Sequence, residues 1–314
     1  MKWQEWAVAD PNSGEVRLRH TAIGVNFADT YHRGGISHPW PVPSCPLVVG
    51  FEGVGIVESV GDGVTDFKKG DRVAYGIPPL GSYSEIRNYP ADKLLHLPDG
   101  LDDKQVAGLL MKGMTAHYLL YRTYKVQRGD TILVHAAAGG MGLILCQWAK
   151  ALGATIVGTV STEEKAEVAR SAGCHYPVVR SKDSFKDTVR AVSDGEGAAV
   201  VYEAIGKDTL QDSLDSLRPM GVCAAYGHVS GPPDPVDIIQ DLGRRGSLFI
   251  TRPAIMHYVA KREDLEWTAR DLFKAIQDGI LRANINHEYQ LKDAVKAHEA
   301  IESGTTNGAA VLIP

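Results

Sequence analysis

At 314 residues the chain is long enough for two domains. Its composition, 44% hydrophobic and 23% charged, is that of a globular protein, and a net charge of −5 provides no basic field for nucleic acid or an anionic membrane. The four cysteines, Cys45, Cys146, Cys174 and Cys223, form no C-x-x-C pair, which fits a reducing compartment and argues against a disulfide framework or zinc finger. The amino terminus lacks the apolar core of a signal peptide and no apolar run could cross a bilayer, so a cytoplasmic location with no membrane partner is expected.

In chain order, residues 1–108 read as β-rich. Glu15–Val25 alternates apolar Val16 and Leu18 with Arg17 and Arg19, as a half-exposed strand does. Residues 46–58 and 71–76 are further strand candidates, and Gly61-Asp62-Gly63 and Lys69-Gly70-Asp71 are turns. Short, closely spaced strands predict a compact barrel-like domain. From about Asp102 the spacing becomes helical, over residues 102–123.

Residues 131–136 then read as a buried strand. Residues 137–142 are a glycine turn matching G-x-G-x-x-G, with Gly139 and Gly142 in place and Ala137 where the first glycine belongs. Residues 141–152 are good helix formers, Gly153 stops them, and Thr155–Val160 is a second buried strand. Such a turn can serve close packing alone. Its place between strand and helix in a unit of about 30 residues is the context in which backbone N–H groups and the helix dipole hold a pyrophosphate.

Beyond Ser161 the alternation continues. Helices are expected over residues 163–172, 185–192, 209–217 and 236–242, and strands over 176–179, 198–205, 222–226 and 247–251. Six strands alternating with helices predict an α/β fold with a doubly wound parallel sheet. Residues 252–314, with helices over 264–277 and 291–302 and a strand at Ala309–Ile313, are too few for a third domain and are expected to return to the first.

The tip of the second strand bears on cofactor choice. A carboxylate there would hold a ribose 2′-hydroxyl. Instead Ser161, Thr162, Lys165 and Arg180 point to a 2′-phosphate, hence NADPH. A competing reading makes Ser161 the N-cap of a capping box closed by Glu164, and Glu163 and Glu164 would repel a phosphate that they faced. No cluster of Cys, His and carboxylates has metal-ligand spacing; only Cys174 and His175 adjoin. There is no G-x-S-x-G elbow, and Cys45 has no partner that sequence indicates. Hydride transfer needs neither metal nor nucleophile.

Nearly the whole chain resembles the quinone oxidoreductases of the zeta-crystallin-like branch of the medium-chain dehydrogenase/reductase superfamily. The resemblance lies in residues 22–31 (AIGVNFADTY), Gly50-Phe51-Glu52-Gly53, Lys112-Gly113-Met114-Thr115, residues 135–142, Gly158-Thr159-Val160-Ser161, Val201-Tyr202-Glu203 and Thr251-Arg252-Pro253. Within that branch, residues 224–228 and 247–254 look like the 2-haloacrylate reductases. The resemblance implies a Rossmann NADPH-binding domain over residues 111–251. It also implies a β-rich GroES-like catalytic domain over residues 1–110, completed by 252–314, with the active site between the two.

By position, the resemblance places Asn26, Tyr31, Thr115 and Tyr118 at the cofactor's nicotinamide side and Gly139, Gly140, Met141 and Gly142 at its pyrophosphate. Ser161, Thr162, Lys165 and Arg180 fall at the adenosine phosphate. Ile205, Tyr226, Gly227, His228, Pro253, Ala254 and Ile255 close the groove. Each also has a structural reading: Asn26 and Asp29 can cap a turn, Tyr31 and Tyr118 can be core aromatics, and His228 can simply end a strand. No catalytic residue is assigned; Tyr31 is the best candidate.

Zinc-dependent cousins have a Cys at the place of Asn26 and a His at that of Phe51, and they carry a structural-zinc lobe missing between Tyr75 and Leu97, so a zinc-independent reductase is implied. Three departures stand out. Arg180 replaces a tyrosine of many relatives, Gly304 replaces an arginine of some, and relatives begin earlier, so Met1 is expected to be an internal start or a truncation that partly uncovers Trp3 and Trp6. The expected activity is NADPH-dependent reduction of quinones. The alternatives are reduction of a 2-haloacrylate or another activated C=C bond, and a non-catalytic NADPH-binding protein. A homodimer joined through the cofactor domains, with residues 247–251 at its seam, is also implied.

Overall fold

The structure, a computed structural model, describes residues 1–35, 44–304 and 306–314. Two compact units emerge. One comprises residues 1–114 and 258–314, the other residues 115–257.

The first unit is built on a largely antiparallel sheet. Its strands are β1 (Glu15–Val25), β2 (Glu52–Val60), β3 (Arg72–Tyr75), β4 (Ile86–Pro90), β5 (Leu95–His96), β12 (Ile285–Gln290) and β13 (Ala309–Ile313). Their order is β12-β13-β1-β2-β3-β5, with β4 also on β1. The alternation in β1 does what its pattern requires. Val16 and Leu18 are buried with Val57, Phe67, Val73, Tyr75, Tyr89 and Leu94, while Arg19 reaches across to Glu58 at 2.7 Å. The carboxyl-terminal strand β13 pairs with the inner end of β1, Ile23 opposite Leu312, and β12 pairs with β13 in turn, which adds residues 285–290 and 309–313 to this unit's sheet. Helix α1 (Phe27–Arg33) follows β1 directly, and α2 (Asp103–Tyr118) follows β5. Residues 46–51, expected as strand, lie outside β2, and residues 86–90, not expected as strand, pair with β1.

The second unit is a parallel sheet ordered β11-β10-β9-β6-β7-β8. Its elements are β6 (Thr131–Val134), α3 (Gly140–Leu152), β7 (Thr155–Val160), α4 (Glu163–Ser171) and β8 (Tyr176–Val179). They continue with α5 (Phe185–Val192), β9 (Ala198–Glu203), α6 (Leu210–Asp215), β10 (Leu217–Ala225) and β11 (Phe249–Thr251). This is the doubly wound sheet that the alternation predicts. All of β6 and β9 is buried, as expected of inner parallel strands covered on both faces. Leu133, Val157, Val201 and Cys223, one from each of four strands, pack against Phe185 and Val189 of α5 and Leu210 and Leu214 of α6. The chain then forms α7 (Ile255–Tyr258), α8 (Arg262–Gln277) and α9 (Ala294–Glu302).

Candidate functional site

In the second unit, β6 ends at Val134, two residues earlier than its sequence pattern, because Ala136 adopts a left-handed φ of 51° and opens the turn. Ala137 N–H donates to Thr159 O of β7 at 2.9 Å and Gly139 N–H to Ala136 O at 2.8 Å. Leu143 N–H makes the bond to Gly139 O at 2.9 Å that starts α3. The amides of Gly140, Met141 and Gly142 precede it, at the positive end of the helix dipole, where an anion is favoured. A Cβ on Gly142 would stand 2.3 Å from Ala136 O, so only glycine lets the helix pass this close to the turn. Ala137 fits the first-glycine position because its methyl faces Gly158, where a Cβ would come within 2.7 Å of it. The cradle thus fits a pyrophosphate.

A buried polar chain braces this turn. His135 Nδ1 lies 2.9 Å from Thr159 Oγ1, and His135 Nε2 lies 2.8 Å from Ser213 Oγ. Ser213 donates to Glu203 Oε2 at 2.5 Å, and Thr209 Oγ1 and the amides of Ile205 and Gly206 donate to Oε1. Burial drives the His135 pKa down, so the ring is neutral, with Nε2–H donating to Ser213 and Thr159 donating to Nδ1. Burial opposes the Glu203 charge, but the hydrogen bonds from Ser213 and the amides of Gly206 and Ile205 hold the carboxyl below its usual pKa. One carboxylate therefore ties β6, β7, α6 and the loop after β9.

The other predicted residues of this unit lie where parallel strands end. Ser161 and Thr162 follow β7, Arg180 follows β8, Ile205 lies just past β9, and Tyr226, Gly227 and His228 follow β10. Pro253, Ala254 and Ile255 follow β11 and are buried. These are the carboxyl ends at which such sheets bind ligands. Gly227 passes so close to Ala204 that a Cβ would be 2.6 Å from its carbonyl, and Arg252 reaches back to Ala225 O at 2.8 Å and His228 Nδ1 at 3.3 Å. Thr115 is half-buried and Tyr118 buried in α2. One expectation is corrected: the N-cap of α4 is Thr162, not Ser161. Thr162 Oγ1 accepts from Lys165 N at 3.3 Å, and its hydroxyl and the helix backbone hold the Glu164 carboxyl below its usual pKa. A one-residue offset moves the cap because β7 ends at Val160 and α4 begins only at Glu163. It leaves Ser161 beside the strand tip and commits Thr162 to the helix.

In the first unit, Asn26 is the N-cap of α1, and Asp29 returns its carboxylate to the Asn26 N–H at 2.8 Å, so the capping reading of this pair holds. The Asn26 amide is also drawn into a buried charge cluster. Asn26 Nδ2 donates to Glu52 Oε1 at 2.8 Å, Met111 N–H to Glu52 Oε2 at 2.6 Å, and Lys112 Nζ lies 3.3 Å from Glu52 Oε1 and 3.1 Å from Val25 O. Glu52 is fully buried and Lys112 nearly so. Asp29, also buried, accepts from Tyr83 OH at 3.1 Å, and Tyr83 OH lies 2.9 Å from His298 Nε2. Burial raises the Asp29 pKa to about 7. Tyr31, half-exposed two residues on, sets its ring edge-on to Phe27 at 5.4 Å. Glu52, Lys112, Tyr83 and His298 were not singled out by sequence; the only trace was the presence of Glu52 and Lys112 in motifs of the family. Among the described residues no three His, Cys, Asp or Glu side chains gather as a metal site requires.

Residues 12–99 match the alcohol dehydrogenase GroES-like domain and residues 140–269 the zinc-binding dehydrogenase domain. A 2-haloacrylate reductase of a Burkholderia species is 54% identical, over 99% of this chain and 94% of its own. A quinone oxidoreductase of Pseudomonas aeruginosa is 44% identical, over 100% of this chain and 95% of its own. This chain is a member of the quinone oxidoreductase family of the medium-chain dehydrogenases/reductases. The structure of the Escherichia coli quinone oxidoreductase complexed with NADPH, another member of this family, superposes with a TM-score of 0.95 at 41% identity, covering 99% of this chain and 95% of that one.

Proposed function

We propose that the protein is a zinc-independent, NADPH-dependent reductase of quinones. The observation that carries this is the turn from Ala136 to Gly142. It presents the first amides of α3 to an anion and leaves no room there for a side chain on Gly142. When bound, NADPH supplies a hydride from its nicotinamide ring. In the first unit Asn26 and Tyr31 orient the nicotinamide end, with Tyr31 the candidate proton donor. In the second, Thr115 and Tyr118 are cofactor contacts, Gly139 to Gly142 hold the pyrophosphate, and Ser161, Lys165 and Arg180 take the 2′-phosphate. Thr162 shapes that subsite by starting α4. Ile205, Tyr226, Gly227, His228 and residues 253–255 close the loops around the cofactor. Asn26 and Phe51 stand where zinc ligands would, and neither side chain suits that ion.

A second reading has a specific support: the 2-haloacrylate reductase is 54% identical, against 44% for the quinone oxidoreductase of Pseudomonas aeruginosa. Here the same site delivers hydride to the β-carbon of an activated alkene. The protein is further proposed to be cytoplasmic and dimeric, joined through β11. Phe249 on that edge strand, and Ile238 and Ile239 before it, are 60%, 76% and 67% exposed, the kind of apolar edge a partner strand covers.

Initial rates with NADPH and NADH, measured side by side on a quinone and a 2-haloacrylate, test the function. Rapid NADPH oxidation by the quinone is expected. Turnover of the haloacrylate alone would transfer the conclusion to the second reading. Bound NADPH that survives both acceptors would leave a cofactor-binding protein without catalysis.

A further inference from the structure

Two glutamates, Glu163 and Glu164, open α4 immediately after the strand tip to which the 2′-phosphate is assigned. A carboxylate at that tip ordinarily favours a ribose diol and rejects a phosphate. Glu164 is held by Thr162 and the helix backbone. Glu163 is held by a residue from the neighbouring strand: Lys182 Nζ lies 2.7 Å from Glu163 Oε1. The topology makes this pairing local. Strands β7 and β8 are parallel neighbours with Val160 opposite Val179, and Arg180 N–H donates to Val160 O at 3.1 Å. The segments leaving the two tips, with Ser161 and Glu163 on one and Arg180 and Lys182 on the other, therefore run side by side. Lys182 and Glu163 are 59% and 61% exposed, so the pair contributes little to stability. Its effect is to cancel a charge at this edge.

We propose that Lys182 is a specificity-determining residue for NADPH over NADH, acting by neutralising Glu163 beside the 2′-phosphate subsite. The inference rests on the NADPH reading above. It separates two roles for cations at this edge: Lys165 and Arg180 attract the phosphate, whereas Lys182 removes a repulsion. Without Lys182, the uncompensated Glu163 charge repels the doubly charged phosphate, a repulsion that added salt screens.

The test is the ratio of kcat/KM for NADPH to that for NADH in the wild type, Lys182→Gln, Glu163→Gln and the double variant, at low and high salt. Lys182→Gln is expected to lower the ratio about threefold to tenfold at low ionic strength while leaving kcat/KM for NADH unchanged, and the loss should fade with added salt. The double variant should return close to the wild-type ratio. A Lys182→Gln ratio equal to wild type, or a double variant as low as Lys182→Gln alone, would overturn the proposal with the NADPH reading intact. A wild-type ratio at or below one would overturn that reading, and the proposal with it.

Discussion

Ala137 and Gly158 are complementary: a Cβ on Gly158 would stand 2.7 Å from the Ala137 methyl and 2.5 Å from Cys174 Sγ. The alanine in the fingerprint is tolerated because the adjacent strand gives up its own side chain. Gly158→Ala is therefore expected to destabilise the protein by about 1–3 kcal/mol through overpacking and to displace the phosphate turn. Thermal unfolding and NADPH titration should both report it. Adding Ala137→Gly should recover part of the loss, the contact with Cys174 remaining.

Lys165 is the cation assigned to the 2′-phosphate itself. Lys165→Ala should weaken NADPH binding by on the order of 1–3 kcal/mol, the value of a charge-assisted hydrogen bond. NADH binding should be nearly unaffected. Fluorescence titration with both cofactors measures the difference, and an unchanged NADPH affinity would remove Lys165 from this role.

Glu52 and Lys112 are a buried ion pair, with side chains 0% and 10% exposed. Breaking such a pair leaves a charge in a low-dielectric interior. Lys112→Met is expected to cost about 3–5 kcal/mol in denaturant unfolding. Combining it with Glu52→Gln should restore part of that stability, since no net charge then remains buried.

Asp29 links stability to pH. Its pKa rises from 3.8 to about 7 on folding because burial disfavours the carboxylate, with Glu52 adding repulsion and Asn26, Tyr83 and Lys112 partly compensating. Between these values the folded protein holds a proton that the unfolded chain releases. The contribution of Asp29 is thus most favourable at low pH and is lost as pH rises toward 7. Asp29→Asn cannot ionise, so it should gain roughly 1–4 kcal/mol relative to wild type between pH 4 and pH 8. Urea unfolding of both proteins across that range gives the difference directly.

Phe249 provides a test of assembly. Phe249→Asp places a charge on the exposed edge of β11 and should convert the proposed dimer to monomers in sedimentation. A wild-type protein that already sediments as a monomer would remove the seam.

Much of the second unit was legible locally. The run Thr155–Val160 appears as read, α3 begins one residue before its predicted start, and Gly153 ends it in the left-handed conformation. Strand periodicity, helix formers and a stop glycine act over a few residues, so the sequence carries them openly. Where local signals compete, the reading slipped. Ser161 and Thr162 are both acceptable caps, and only the end of β7 decides that Thr162 takes the role. Helix α1 has seven residues and β5 two, too few for a period to register.

By itself the sequence determined the fold class, the dinucleotide turn and the residue types available to a 2′-phosphate. The tertiary structure decided which polar and charged groups meet. Glu52 and Lys112 are 60 positions apart, Tyr83 and His298 215, and Glu163 and Lys182 19. Periodicity reports only neighbours along the chain, whereas a buried or neutralised charge depends on what the packing of distant segments sets beside it.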